Sequence, residues 1–156
     1  MILTEAELTQ WGRAVGAAVD RPTLILLDGP LGAGKSTLAR AIARGAGVTS
    51  NIPSPTFNIL LSYAGRGGLP VTHADLYRIE TPDELDELGW EDLVADGLVM
   101  VEWPDRAGER LSADRWEISL GFVEGRSEVR DVNGSRHGSP TPIPPLEARS
   151  PALGSQ

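Results

Sequence analysis

Cysteine is absent from the 156 residues, which rules out disulfides and thiolate metal sites and fits a reducing compartment. Basic side chains are in deficit, 14 against 22 acidic, for a formal net charge of −8. No basic face is visible that could neutralise a nucleic-acid backbone, so any RNA is expected to be held by a partner. No apolar run approaches the roughly 20 residues needed to cross a bilayer. The N-terminus, carrying Glu5 and Glu7, lacks the basic-then-apolar pattern of a signal peptide, and the sequence reads as soluble and cytoplasmic. The length suits one domain with a real core. Lysine is the scarcest charge: Lys35 stands alone beside 13 arginines.

What is present centres on Gly29 to Ser36, Gly-Pro-Leu-Gly-Ala-Gly-Lys-Ser, which has the phosphate-binding spacing G-x-x-x-x-G-K-[ST]. Its glycines let the backbone turn tightly, so that successive N–H groups can face a polyphosphate at the positive end of a helix dipole. In this reading Lys35 is a point charge for the β- and γ-phosphates, and the Ser36 hydroxyl takes one position on Mg²⁺. The flanks agree. Thr23 to Asp28 reads as a buried parallel strand, and Leu38 to Ala43 as a helix that stops near Gly45 and Gly47.

Thr4 and Glu7 have capping-box spacing, and Leu8, Trp11, Val15 and Val19 recur at helical intervals, predicting an amphipathic helix over 4–19 with Trp11 in the core. Ser54, Pro55, Thr56 and Phe57 follow the P-loop helix, where a γ-phosphate-ordered switch sits in other P-loop proteins; an ordinary loop is the alternative. Residues 57–63 and 69–75 read as a hairpin around Gly65 to Gly68, which mixes antiparallel pairing into the sheet. Thr81-Pro82-Asp83-Glu84 opens a helix with an N-cap, Pro at N1 and two acids in its first turn, and 90–94 supplies another short helical piece. The acids in this stretch read as a solvated face, with a partner surface as the alternative. Residues 98–101 form the next buried strand. The alternation of Trp116, Ile118, Leu120 and Phe122 gives a half-exposed strand that 127–132 can pair with. From residue 134 Gly, Ser and Pro dominate and aromatics vanish, so 134–156 reads as a disordered tail behind a domain spanning 1–133.

Two acids emerge at strand ends, where ligands bind in such folds. Asp75 suits a metal, directly or through water, or the attacking water, unless it is a surface aspartate. Glu102 leaves an apolar strand, which is costly without a cation; Mg²⁺ serves, or a salt bridge to Arg106 or Arg78. His73 reads as a hydrogen-bonded structural residue. The fold class is α/β, a single P-loop NTPase domain with a mixed, mainly parallel sheet flanked by helices.

Gly-Pro-Leu-Gly-Ala-Gly-Lys-Ser-Thr, Ser-Pro-Thr-Phe, His-Ala-Asp-Leu-Tyr-Arg and Val-Glu-Trp-Pro, in that order, resemble the TsaE family over about residues 4–132. The family is that of the small bacterial ATPase needed for threonylcarbamoyl modification of adenosine in tRNA. The resemblance implies ATP held by Gly32, Ala33, Gly34, Lys35, Ser36 and Thr37, with Glu5 near the adenine. It implies Mg²⁺ on Ser36 and Glu102, Asp75 supporting metal or hydrolysis, Lys35, Asp75 and Glu102 as the catalytic set, and 54–57 as the switch. It also implies work with TsaD and TsaB proteins, through which tRNA is reached. Two departures are Pro30, where the family usually has Asp, and Ser36, where it usually has Thr; slower or altered hydrolysis is the most they imply. The competing readings are a small-molecule P-loop kinase, against which the scattered arginines argue, and a nucleotide-gated binding module without essential hydrolysis.

Overall fold

A computed structural model describes residues 1–52 and 59–144. Among them a seven-stranded sheet takes the order β1-β7-β6-β2-β5-β4-β3. The strands are β1 (Ile2–Thr4), β2 (Thr23–Asp28), β3 (Leu60–Ala64), β4 (Pro70–Asp75), β5 (Leu98–Glu102), β6 (Arg115–Val123) and β7 (Arg126–His137). β4, β5, β2 and β6 are mutually parallel, while β3 and β7 run antiparallel to their neighbours at either side. β1 pairs antiparallel with β7, so five of the seven strands share one direction, as the mixed, mainly parallel expectation requires.

Alternation along the buried strands divides the core. Ile25 and Leu27 of β2 face a cluster with Leu8, Trp11 and Val15 of α1 (Glu5–Ala18) and Leu38 and Ile42 of α2 (Lys35–Gly45). Leu24 and Leu26 face the opposite cluster, which holds Val99, Val101, Leu85 of α3 (Asp83–Glu87) and Trp90 of α4 (Trp90–Asp96). A strand coated with apolar side chains on both faces is what a three-layer α/β fold demands. The capping box forms: Thr4 Oγ1 accepts from Glu7 N at 3.2 Å and Glu7 Oε1 accepts from Thr4 N at 2.9 Å. α1 and α2 then cross almost backbone to backbone. A Cβ on Gly16 would lie 2.0 Å from the Ile42 carbonyl oxygen, so only glycine fits there.

The structure corrects two local expectations. α3 starts at Asp83 with no side-chain cap from Thr81, and its first turn is closed by the backbone of Thr81 and Pro82. β7 does not stop near 132 but continues to His137, pairing Ile118 with Gly134 and Glu117 with Ser135. Backbone pairing needs no apolar side chains, which is why composition placed the boundary too early. Thr141 is buried against Thr23, Oγ1 to Oγ1 2.9 Å, and the Trp116 and Trp11 indole N–H groups donate to the carbonyls of Thr141 at 2.7 Å and Pro144 at 3.2 Å. Residues 134–144 of the expected tail are therefore part of the fold, and 145–156 lie outside the described residues.

Candidate functional site

Three parallel strands, β2, β4 and β5, deliver their carboxyl ends to one rim of the sheet. β2 enters the glycine loop there, and the register places Asp75 opposite Glu102. Gly29, Gly32 and Gly34 take φ values of 147°, 83° and 106°, and Gly34 is the residue from which α2 begins. The Ala33 N–H donates to the Pro30 carbonyl at 3.1 Å and closes the turn. Only residues without a side chain accept this run of left-handed backbone at low energy.

Lys35 is 5% exposed, donates to the Gly29 carbonyl and lies with its ammonium 4.1 Å from the centre of the Trp103 ring. The charge is parked between a carbonyl and an aromatic face. Trp103 itself adopts φ 58°, ψ 53°, the one left-handed non-glycine among the described residues, and Tyr77 packs against it with ring centroids 5.1 Å apart.

Ser36 Oγ stands 3.2 Å and 3.0 Å from the two Glu102 oxygens, and His73 Nε2 stands 2.5 Å from Glu102 Oε2. Glu102 and His73 are 4% and 1% exposed. Burial pushes the Glu102 carboxyl up, but the hydrogen bond and charge of His73, with Ser36 and Lys35, outweigh it and hold it below its usual value. Asp75 moves the other way: burial and then the Glu102 charge raise it, although Tyr77 N donates to its Oδ1 at 3.1 Å. The rim thus carries two adjacent acids whose ionisations are driven apart. Among the described residues Glu102 takes its hydrogen bonds from Ser36 and His73, and Arg106 donates instead to the Ile79 carbonyl at 3.4 Å.

Glu5 opens α1 beside the loop. With Gly32, Ala33, Gly34, Thr37 and Arg130 it lines a cavity of about 200 Å³. Every P-loop position singled out in the sequence, together with Glu5, Asp75 and Glu102, therefore lies at the rim of the sheet or on the cavity beside it. Ser54, Pro55, Thr56 and Phe57 lie outside the described residues. His73 is the hydrogen-bonded structural residue expected, with Glu102 as its partner. Sequence reasoning missed two participants. The left-handed turn at Trp103 carries no signal, and Arg130 looked like any strand arginine.

A buried strand, a loop of forced left-handed turns and a helix whose first residues are lysine and serine set the protein among the P-loop nucleotide-binding proteins. Comparison with known proteins narrows this. The sequence model described as threonylcarbamoyl adenosine biosynthesis protein TsaE matches residues 2–130. The tRNA threonylcarbamoyladenosine biosynthesis protein TsaE of Streptomyces coelicolor is 34% identical over 129 residues, 80% of this chain and 87% of the relative. That of Treponema pallidum is 31% identical, covering 79% and 91% respectively. The crystal structure of Bacillus subtilis YdiB superposes with a TM-score of 0.69 at 28% identity, over 88% of this chain and 84% of that one. The chain belongs to the TsaE family, and its role lies in the biosynthesis of threonylcarbamoyladenosine in tRNA.

Proposed function

We propose that the protein binds MgATP at this rim and hydrolyses it, slowly alone, as the nucleotide-driven member of a cytoplasmic assembly with TsaD- and TsaB-type proteins. The observation that carries the reading is the Ser36 hydroxyl set against both oxygens of Glu102, one residue from the loop lysine. An all-oxygen pair fits a small hard cation, which takes one or two protein ligands and completes its shell with phosphate oxygens and water. Bound there, Mg²⁺ would neutralise charge on the β- and γ-phosphates.

The remaining work falls to the chain. Amides of the glycine loop and the start of α2 hold the phosphate oxygens, and Gly32 to Thr37 with Glu5 hold the nucleotide. Lys35 exchanges the Gly29 carbonyl and the Trp103 face for the β- and γ-oxygens. Glu102, oriented by His73, and Ser36 present the metal's protein oxygens. Asp75 lies beside them to orient a water in line with the γ-phosphorus; the water oxygen bonds to phosphorus as the bond to the β-γ bridging oxygen breaks, and the water's proton leaves with the released phosphate, giving ADP and inorganic phosphate. Positioning and charge neutralisation supply the rate, with no covalent step on the protein. Ser54 to Phe57 are the switch in this proposal. The acidic chain leaves tRNA to its partners.

Phosphate release by the purified protein, with and without TsaD- and TsaB-type proteins, tests the reading. Slow Mg²⁺-dependent release that the partners raise and Lys35→Ala abolishes supports it; release untouched by Lys35→Ala overturns it.

A further inference from the structure

Arg130 of β7 reaches the P-loop from outside. Its Nε donates to the Ala33 carbonyl at 3.2 Å and its Nη2 to the Gly32 carbonyl at 3.4 Å. Nη1 donates to the carbonyls of Ser127 at 2.9 Å and Val129 at 2.7 Å, and the guanidinium carbon lies 4.8 Å from the centre of the Phe122 ring. One planar side chain therefore ties the β6–β7 hairpin to the two carbonyls at the crest of the glycine loop, and Arg alone has a fork of donors wide enough to do it.

A trans peptide is planar, so its carbonyl and the following N–H point in opposite directions. Pinning the Gly32 and Ala33 carbonyls on the β7 side turns the Ala33 and Gly34 N–H groups to the other side. The Ala33 N–H is engaged by Pro30, and the Gly34 N–H stands at the N-cap of α2, where it joins the first-turn amides that an anion can meet. Glycines on either side make these peptide planes free to rotate, so the loop needs an external brace.

We infer that Arg130 is a positioning residue that sets the amide directions of the P-loop before nucleotide arrives. This deepens the proposed nucleotide site and rests on that reading. Arg130 also lines the 200 Å³ cavity next to Glu5, so a direct contact with the base is the competing role.

The test compares wild type, Arg130→Met and Arg130→Lys. Calorimetry measures Mg-ADP and inorganic tripolyphosphate, and NMR relaxation of the nucleotide-free protein follows the Ala33 and Gly34 amides. Arg130→Met should weaken both probes equally, by roughly tenfold, the worth of about one charge-assisted hydrogen bond. The Gly34 order parameter should fall from about 0.85 toward 0.6. Arg130→Lys should lie between, since an ammonium can hold one carbonyl at a time. Unchanged binding with lowered stability would make Arg130 a hairpin staple only, and loss confined to Mg-ADP would make it a base contact; either overturns the inference. Should wild type bind neither probe, the proposed function falls, while the amide relaxation still decides whether Arg130 braces the loop.

Discussion

The Ser36 hydroxyl faces Glu102 so evenly, 3.2 Å and 3.0 Å from its two oxygens, that the end of β5 and the start of α2 share one polar contact at the rim of the sheet. A carboxylate 4% exposed at this place needs compensating partners, and among the described residues His73, Ser36 and Lys35 supply them. Glu102→Gln preserves shape and hydrogen bonding but removes the charge. Mg²⁺ affinity in the nucleotide complex should drop about 10- to 100-fold. Phosphate release should fall on the order of 10²- to 10³-fold. A Mg²⁺ titration of turnover, with nucleotide binding measured separately, checks both.

Lys35 must leave the Trp103 face to reach a phosphate. Nucleotide binding should therefore change Trp103 emission, and Trp103→Phe should erase that change although three other tryptophans remain. Lys35→Ala should weaken nucleotide binding on the order of 10²-fold, from about 3 kcal/mol of charge-assisted contact. A fluorescence titration of the three proteins reads these outcomes.

Trp103 holds its ring in place by a backbone conformation that L-residues avoid, φ 58°. The left-handed region costs a non-glycine residue about 1–2 kcal/mol, part of which glycine gives back in unfolded-state entropy. Trp103→Gly should accordingly be more stable than Trp103→Ala by about 0.5–1 kcal/mol. Urea unfolding of the two variants measures the difference, and a reversed order would mean that no strain is stored there.

How far the sequence reached depends on whether a feature is local. The P-loop, the capping box of α1 and the hairpin β3–β4 are each written within a few consecutive residues, and they form as their spacing predicts. The His73–Glu102 contact depends on β4 lying beside β5 in one register, and a strand order is not written in any short stretch. Trp103 is worse than silent: a residue before proline is biased to extended backbone, yet this one turns left-handed under tertiary constraint. β1 has three residues, too few for a period, and exists because β7 pairs with it more than 120 positions away. Arg130 acts on carbonyls, which carry no sequence identity at all.

Asp75 sets stability against function. Its folded-state ionisation lies above the unfolded value because burial and Glu102 penalise the charge. The native state then binds more protons than the unfolded one through that window, so stability falls as pH rises from the unfolded value, about 3.9, through the folded one. The penalty is complete above that range and absent below it. Asp75→Asn keeps an acceptor for the Tyr77 N–H and removes the charge. Without nucleotide it should be more stable than wild type at about pH 7, and the gap should close at about pH 3.5. It should also lose Mg²⁺-dependent phosphate release. Urea midpoints at the two pH values, with turnover at neutral pH, test both halves.

The end of the chain offers a test of where the domain stops. Two indole N–H groups, those of Trp116 and Trp11, donate to the carbonyls of Thr141 and Pro144, and Thr141 bonds Thr23 in a buried position. All three bonds join segments distant in sequence, and removing the acceptors leaves donors that were placed for them. A chain ending at residue 137 keeps every strand but loses all three, and should be less stable than one ending at 144 by about 2–4 kcal/mol, at about 1 kcal/mol per bond. Because these contacts gather at the start of β2, at the opposite end from Asp28 and the glycine loop, nucleotide affinity in the folded protein should be the same for both chains. Urea unfolding and calorimetry on the pair separate the two claims. Equal stabilities would put the boundary at the end of β7, near residue 137.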